Sequence, residues 1–387
     1  MNNLGTFYGD QGKYDKAELY HQQALAIRKE ILDPNHWDLA VSLNNLADIY
    51  RMQERYNKAE ALYLEALEIS KRVFGDEHLH VATILNNLAV LYSTQKKYNE
   101  AEPFCKESLS ITEQTLGPNH PDTAISLIGL ADIHIQQGSY DQAEASIRKS
   151  LLIFEKTLGA KHFYTAQSLH NLGWLYYVQS KYTQAEASYQ QALTLYRQYP
   201  ELEYPHLAES LQKLADLYNA QERYEEAEAL YEQALTIIEQ ALGPEHPRTA
   251  QGYHNLGWLC YQQKKYDKAE HLLQHAFSIL EKTSGSEHPD VAICLDHLAA
   301  HYRDQGKYAE AEPLYKRALY IREQVLGSSH LDTAKLLNNL ALLYYKQGNL
   351  TDAEPLYRRA LAISEQALGS ERPEIAICLH NLALLYE

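Results

Sequence analysis

The sequence predicts an all-α solenoid of stacked antiparallel helix pairs, and three observations carry that prediction. A tyrosine three residues ahead of an Ala-Glu step recurs at Tyr14, Tyr56, Tyr98, Tyr140, Tyr182, Tyr224, Tyr266 and Tyr308, with Leu350 completing the series, at an unvarying interval of 42 residues. A fixed period without one insertion marks structural units stacked on their neighbours, because the loops of independent domains would drift in length. Within each period, apolar residues fall at helical spacing in two successive stretches, and no stretch shows strand-like alternation. Alanine holds one register in every first stretch, at Ala40, Ala82, Ala124, Ala166, Ala208, Ala250, Ala292, Ala334 and Ala376, and another in every second, from Ala17, Ala59 and Ala101 onward. Small residues repeated at contact positions let helix axes approach to about 8 Å. The chain reads as one array over 1–387: nine two-helix units and a lone first helix over about 373–387.

The first helix of a unit is clearest around Leu337–Ala341, which reads LNNLA; the same five letters stand at Leu43–Ala47 and Leu85–Ala89, with LHNLG from Leu169 and LHNLA from Leu379. Ala334, Leu337, Leu340, Ala341 and Tyr344 share one helical face and should be buried. The turn Gln347-Gly348-Asn349 follows, where glycine takes the left-handed conformation that ends a helix. Gly12, Gly138, Gly306 and Gly348 occupy this position in four of nine units; the other five carry Glu, Lys or Ser and must accept strain or a different turn. A second helix is expected over about Asp352–Leu368, burying Ala353, Leu356, Tyr357, Ala360, Leu361 and Ile363. Pro103, Pro313 and Pro355 lie near the starts of their second helices, where few intrahelical bonds are at stake. Loops such as LGPNHPD at 116–122 and LGPEHPR at 242–248 close the units; after Leu368 the closing glycine is Gly369, and the loop Tyr199–His206 alone lacks both the glycine and the usual histidine.

Composition narrows the function classes. The chain has 51 acidic against 35 basic residues, a formal charge of −16. That field repels a phosphate backbone or an anionic membrane surface, so neither nucleic acid nor membrane is expected as a partner. Cys105, Cys260, Cys294 and Cys378 form no CxxC pair and read as small buried residues in a reducing compartment. No apolar run reaches the roughly 20 residues of a membrane span. The opening residues are already patterned like the later repeats and leave no signal peptide, so a cytosolic protein is expected.

The Leu, Ala and Tyr pattern of the first helix, followed by Ala, Tyr and Ala in the second, resembles the tetratricopeptide repeat. The 42-residue unit, LNNLA, AEPLYRRALAI and LGxxHP are similar to the kinesin-light-chain subtype over essentially the whole chain. The heptad segment with which a kinesin light chain binds its motor has no counterpart here. The resemblance implies a right-handed superhelical solenoid whose first helices line a concave groove. It also implies that asparagines in the LNNLA register face a cargo peptide. Similar arrays occur in bacterial multidomain proteins beside signalling nucleotide-binding or caspase-like domains.

Catalytic and metal chemistry find no pattern. The loop histidines His36, His78, His120, His162, His246, His288 and His330 occur one per unit, too far apart for a shared ion, and are expected to bond nearby backbone. There is no GxSxG, HExxH or phosphate-loop motif. The glutamates of the AEA and AEP steps read as surface charges in the first helical turn. No enzyme activity and no cofactor are expected.

The candidate surface is the other face of the first helices, where residues vary between units: Asp48, Val90, Asp132, Trp174, Asp216, Trp258, Ala300 and Leu342 share one register. An asparagine ladder including Asn45, Asn87, Asn171, Asn255 and Asn339 could pair with an extended peptide backbone, or each amide could simply bond an adjacent helix. Gly129, Lys213 and His297 break it. A central patch joins His170, Asn171, Trp174 and Tyr177 in unit five, Lys213 in unit six, and His254, Asn255, Trp258 and Tyr261 in unit seven. Exposed Trp–Tyr pairs are typical of binding hot spots. The expected function is a non-catalytic protein-interaction scaffold holding an extended peptide or partner helix. The alternative is a regulatory or sensor arm of a larger signalling protein. Met1 falls inside the first unit and Glu387 closes a helix without its partner, so the sequence is expected to be part of a longer protein or to self-associate through uncapped ends.

Overall fold

The computed structural model describes residues 2–10, 12–199, 203–368 and 373–385. Expectations placed on Met1, on residues 200–202 of the loop without glycine, on Gly369 and on Tyr386 and Glu387 lie outside them. The chain divides into two compact units, Met1–Arg223 and Tyr224–Glu387. The first holds α1 (Asn2–Asp10), α2 (Tyr14–Ile31), α3 (Trp37–Met52), α4 (Tyr56–Phe74), α5 (Leu79–Thr94), α6 (Tyr98–Leu116), α7 (Pro121–Gln136), α8 (Tyr140–Thr157), α9 (Phe163–Val178), α10 (Tyr182–Tyr196) and α11 (Ala208–Ala220). The second holds α12 (Tyr224–Leu242), α13 (Pro247–Gln262), α14 (Tyr266–Ser284), α15 (Pro289–Asp304), α16 (Tyr308–Leu326), α17 (Leu331–Lys346), α18 (Leu350–Leu368) and α19 (Pro373–Ala383). No strand occurs among the described residues, and the fold is an all-α helical repeat solenoid.

Each hairpin is made by one turn. Gly348 has φ +76°, and the N–H groups of Gly348 and Asn349 return to the carbonyls of Tyr345 and Tyr344, closing α17 and releasing α18. The copies without glycine make the same turn and accept its strain: Glu54, Lys96, Ser180, Glu222 and Lys264 all have φ between +57° and +60°. Units close on a second glycine. Gly117 has φ +94° and ψ 158°, a region open essentially to glycine alone.

All seven loop histidines cap the first helices: each Nδ1 accepts the backbone N–H two residues on, at 3.0–3.2 Å. This is the backbone bonding the sequence led one to expect, given a definite role. The loop that lacks the histidine runs instead through a π-helical turn, Glu203–Leu207, and its α11 begins late and without a side-chain cap.

Within each of the two units the core lies between the two helices of a pair and between successive pairs. Every alanine of the second-helix register, from Ala17 to Ala353, is completely buried, and Tyr63, Tyr189, Tyr315 and Tyr357 fill the space those alanines leave. The first-helix alanines are buried as expected from Ala40 to Ala334, but Ala376 is exposed, because α19 turns Ile375 and Cys378 inward. Pro103 sits one turn inside a continuous α6.

The glutamates of the Ala-Glu steps are more than surface charges. Glu60, Glu144, Glu186, Glu270 and Glu312 each accept the hydroxyl of a tyrosine 32 residues on, Tyr92, Tyr176, Tyr218, Tyr302 and Tyr344, at 2.6–3.0 Å. They fasten a second helix to the first helix of the next repeat. Lys106 and Gln137 hold Glu102 at a pKa of about 2. Glu228 reaches about 2 as well, where hydrogen bonds from Lys265, Lys268 and Gln263 outweigh the burial that opposes ionisation.

Candidate functional site

The stripe that packs each first helix leaves the opposite face as the candidate surface. Asn45, Asn87, Asn171, Asn255 and Asn339 all lie half-buried on this face. Two of these amides donate between neighbouring repeats: Asn87 Nδ2 to Asn44 Oδ1 at 2.8 Å, and Asn339 Nδ2 to Asp296 Oδ1 at 2.9 Å. Asn381 repeats the bond onto Asn338 at 2.9 Å. The constant offset of 43 residues pairs each asparagine with the residue before its counterpart one repeat earlier. Burial raises the carboxyl pKa of Asp296 against the bond Asn339 donates to it.

In the first unit, α9 presents His170, Asn171, Trp174 and Tyr177. The Trp174 and Tyr177 rings stack with centroids 5.5 Å apart, and Lys213 of α11 places its Nζ 4.8 Å from the Trp174 ring centroid. Lys213 also pairs with Asp216 at 3.6 Å. His170 Nδ1 lies 2.8 Å from Ser210 Oγ, and desolvation holds its pKa down at about 4. These residues form one connected cluster. Trp174 is half-buried rather than freely exposed, since the tyrosine and the lysine cover part of it.

In the second unit, α13 presents His254, Asn255, Trp258 and Tyr261. Trp258 stacks on Tyr261 at 4.8 Å and on His297 of α15 at 3.8 Å. His254 Nε2 lies 2.7 Å from His297 Nδ1, and Tyr261 donates its hydroxyl to Asp304. Burial lowers both histidine pKa values, His297 to about 3. Trp258 is likewise half-buried. His297 and Asp304 thus join this patch, although the sequence marked His297 only as a break in the ladder. The signal was present: the residue 39 positions after each groove tryptophan is the ladder break, Lys213 or His297, and in both cases it covers the indole.

The third break, Gly129, has no ring to meet it. Here α5, α6 and α7 leave a cavity of about 270 Å3 on the candidate face.

The four thiols are buried, and burial raises those of Cys105 and Cys294 to about 12, leaving no ready thiolate. Among the described residues no three His, Cys, Asp or Glu side chains gather to hold a metal, and no helix is long and apolar enough to cross a membrane. Apolar side chains stand exposed near both ends, among them Phe7 and Ile31 on α1 and α2, and Ile377 and Leu379 on α19.

Comparison with known proteins identifies the repeat. A tetratricopeptide repeat family model matches residues 1–72, 38–104, 80–146, 128–198, 206–282, 259–324, 290–365 and 332–387, and a second matches 170–241. No curated protein sequence matches. Among solved structures, the chain is similar to a signal-transduction ATPase with numerous domains carrying a tetratricopeptide repeat sensor, from Pyrococcus horikoshii: 16% identity, TM-score 0.57, covering 96% of this chain and 55% of that one. It is similar to a Rap protein complexed with Competence and Sporulation Factor at 18% identity and TM-score 0.53, over 90% and 98% of the two chains. It is similar to a kinesin-light-chain-like repeat protein of Podosopora anserina at 26% identity and TM-score 0.46, over 54% and 98%.

Proposed function

The chain belongs to the tetratricopeptide repeat family, and from that premise we propose that it is a non-catalytic protein–protein interaction scaffold that holds an extended peptide or a partner helix in a concave groove. One observation carries the reading. The face of the first helices turned away from their packing partners holds half-buried amides and Trp–Tyr pairs, which offer large apolar area with polar tips. The residues we assign to binding are Asn45, Asn87, His170, Asn171, Trp174, Tyr177, Lys213, His254, Asn255, Trp258, Tyr261 and Asn339. The amides of Asn87 and Asn339 offer an acceptor oxygen to a peptide N–H while their donors tie neighbouring repeats together. The net charge of −16 favours basic or aromatic-containing ligands in the cytosol, and the exposed apolar ends are where a second copy would stack.

The test is capture of partners from a lysate by the whole chain and by a Trp174→Ala, Trp258→Ala double variant. Capture should fall at least tenfold with the helical circular dichroism retained. Undiminished capture by a folded double variant removes the two patches from the function.

The second reading is a regulatory or sensor arm of a longer signalling protein; the Pyrococcus horikoshii protein carries its tetratricopeptide repeats as a sensor. At 16% identity that likeness carries the fold across and not the role. An in-frame domain after Glu387 whose presence protects the groove from hydrogen exchange would favour this reading over the first.

A further inference from the structure

Three repeats break the asparagine ladder, and the structure treats them differently. At Lys213 and His297 the preceding repeat supplies a tryptophan, and the breaking side chain lies over its ring. At Gly129 the preceding repeat supplies Val90, which is 41% exposed, and the space stays open. Asn86 holds the position from which Asn44 and Asn338 accept the ladder bond; with glycine opposite, its Oδ1 faces the opening, 3.4 Å from where a Gly129 Cβ would stand.

We propose that this opening is the anchor pocket of the groove, taking a single lysine or arginine side chain from an extended peptide. The proposal rests on the groove-binding reading above and specifies its ligand. At about 270 Å3 the cavity falls below the roughly 300–1,000 Å3 of sites for whole small molecules, and suits one side chain. Its walls include Ala89, Val90 and Ile133, against which the methylenes of a long basic side chain pack. Its rim carries Asp132, which makes no ion pair among the described residues and is braced by Gln136, itself the acceptor of the Tyr98 hydroxyl at 3.4 Å. Asp132 reaches solvent, so an arriving cation can meet its carboxylate at the rim. No Lys or Arg lines the cavity, so the Asp132 carboxylate and the Asn86 carbonyl meet no cation of its lining.

The probe is a phage-displayed library of random dodecapeptides panned on the full chain, followed by synthesis of a selected peptide and of its copy with norleucine at the basic position. Two variants close the pocket from opposite sides: Gly129→Asn, which lets the ladder bond to Asn86 form, and Val90→Trp, which repeats the pattern of Trp174. Asp132→Asn removes the charge alone. Selected peptides should share one Lys or Arg. Norleucine should weaken binding to the unaltered chain about tenfold and to the Asp132→Asn chain hardly at all, and both closed variants should lose binding while remaining helical. A consensus without a basic residue, or binding indifferent to Gly129→Asn and Val90→Trp, overturns the pocket. If such peptides still depend on Trp174 and Trp258, the groove reading stands and the pocket alone falls. If no peptide depends on either set, both fall.

Discussion

Five residues of this chain adopt a backbone conformation that suits glycine. Glu54, Lys96, Ser180, Glu222 and Lys264 repeat the left-handed turn that Gly12, Gly138, Gly306 and Gly348 make without strain, φ staying within a few degrees of +60°. A non-glycine residue held there costs of order 1–3 kcal/mol, and only the surrounding hairpin keeps it in place. Glycine loses more freedom on folding, roughly 0.5–1 kcal/mol, so the net effect favours replacement. Lys264→Gly should therefore stabilise the protein by about 1 kcal/mol, and Gly306→Lys should cost a similar amount. Urea unfolding followed by circular dichroism gives both; a destabilised Lys264→Gly protein would mean that the lysine side chain contributes more than its backbone loses.

At the scale of elements, a helix here is defined by how it starts. The histidine Nδ1 that accepts the N–H two residues on serves where Ser, Thr, Asp or Asn would ordinarily stand. His120 caps α7 at 3.2 Å, and Thr123 closes the same loop onto the Gly117 carbonyl at 2.9 Å. His120→Ala should cost about 1 kcal/mol while His120→Asn, which keeps a short acceptor, should cost little; thermal melts of the two variants side by side check the difference. The helices themselves were legible in the sequence, because a 42-residue period and an alanine in each register leave one way to bury the stripe. The interactions between repeats were not. A glutamate at the start of a helix reads as a charge beside a dipole until its tyrosine 32 residues on is brought against it. An asparagine on an open face reads as a free amide until the repeat before it supplies an acceptor 43 residues back. Lys213 and His297 looked like defects in a ladder for the same reason: the indoles they cover lie one repeat away.

For the molecule as a whole, repeat proteins are held by interfaces between neighbours, so a weakness at one interface opens there first. Acid locates that weakness. His297, with its pKa lowered to about 3, and its neighbour His254, lowered in the same direction, stay neutral in the fold, whereas in the unfolded chain each protonates as pH falls through about 6.5. Between those values the unfolded state binds more protons, so the stability these histidines contribute is complete above about pH 6.5 and drains away as pH falls toward 3. Glu228, held at about 2, acts in a separate window: its contribution is full above about 4.5 and is lost below. From pH 7 to 5 the buried histidines are therefore the ones that count, with His170 in the first unit, at about 4, losing stability in the same direction. Thermal melts should fall in that range, and hydrogen exchange at pH 5 should show α13 and α15 losing protection before α16 to α18. His297→Asn removes one titrating ring and places a ladder amide in its position. It should flatten the decline between pH 7 and 5 in the second unit while leaving the fall below pH 4.5 unchanged. A decline equally steep in the variant, with α13 and α15 still first to open, would show that the His254–His297 stack is not what acid releases.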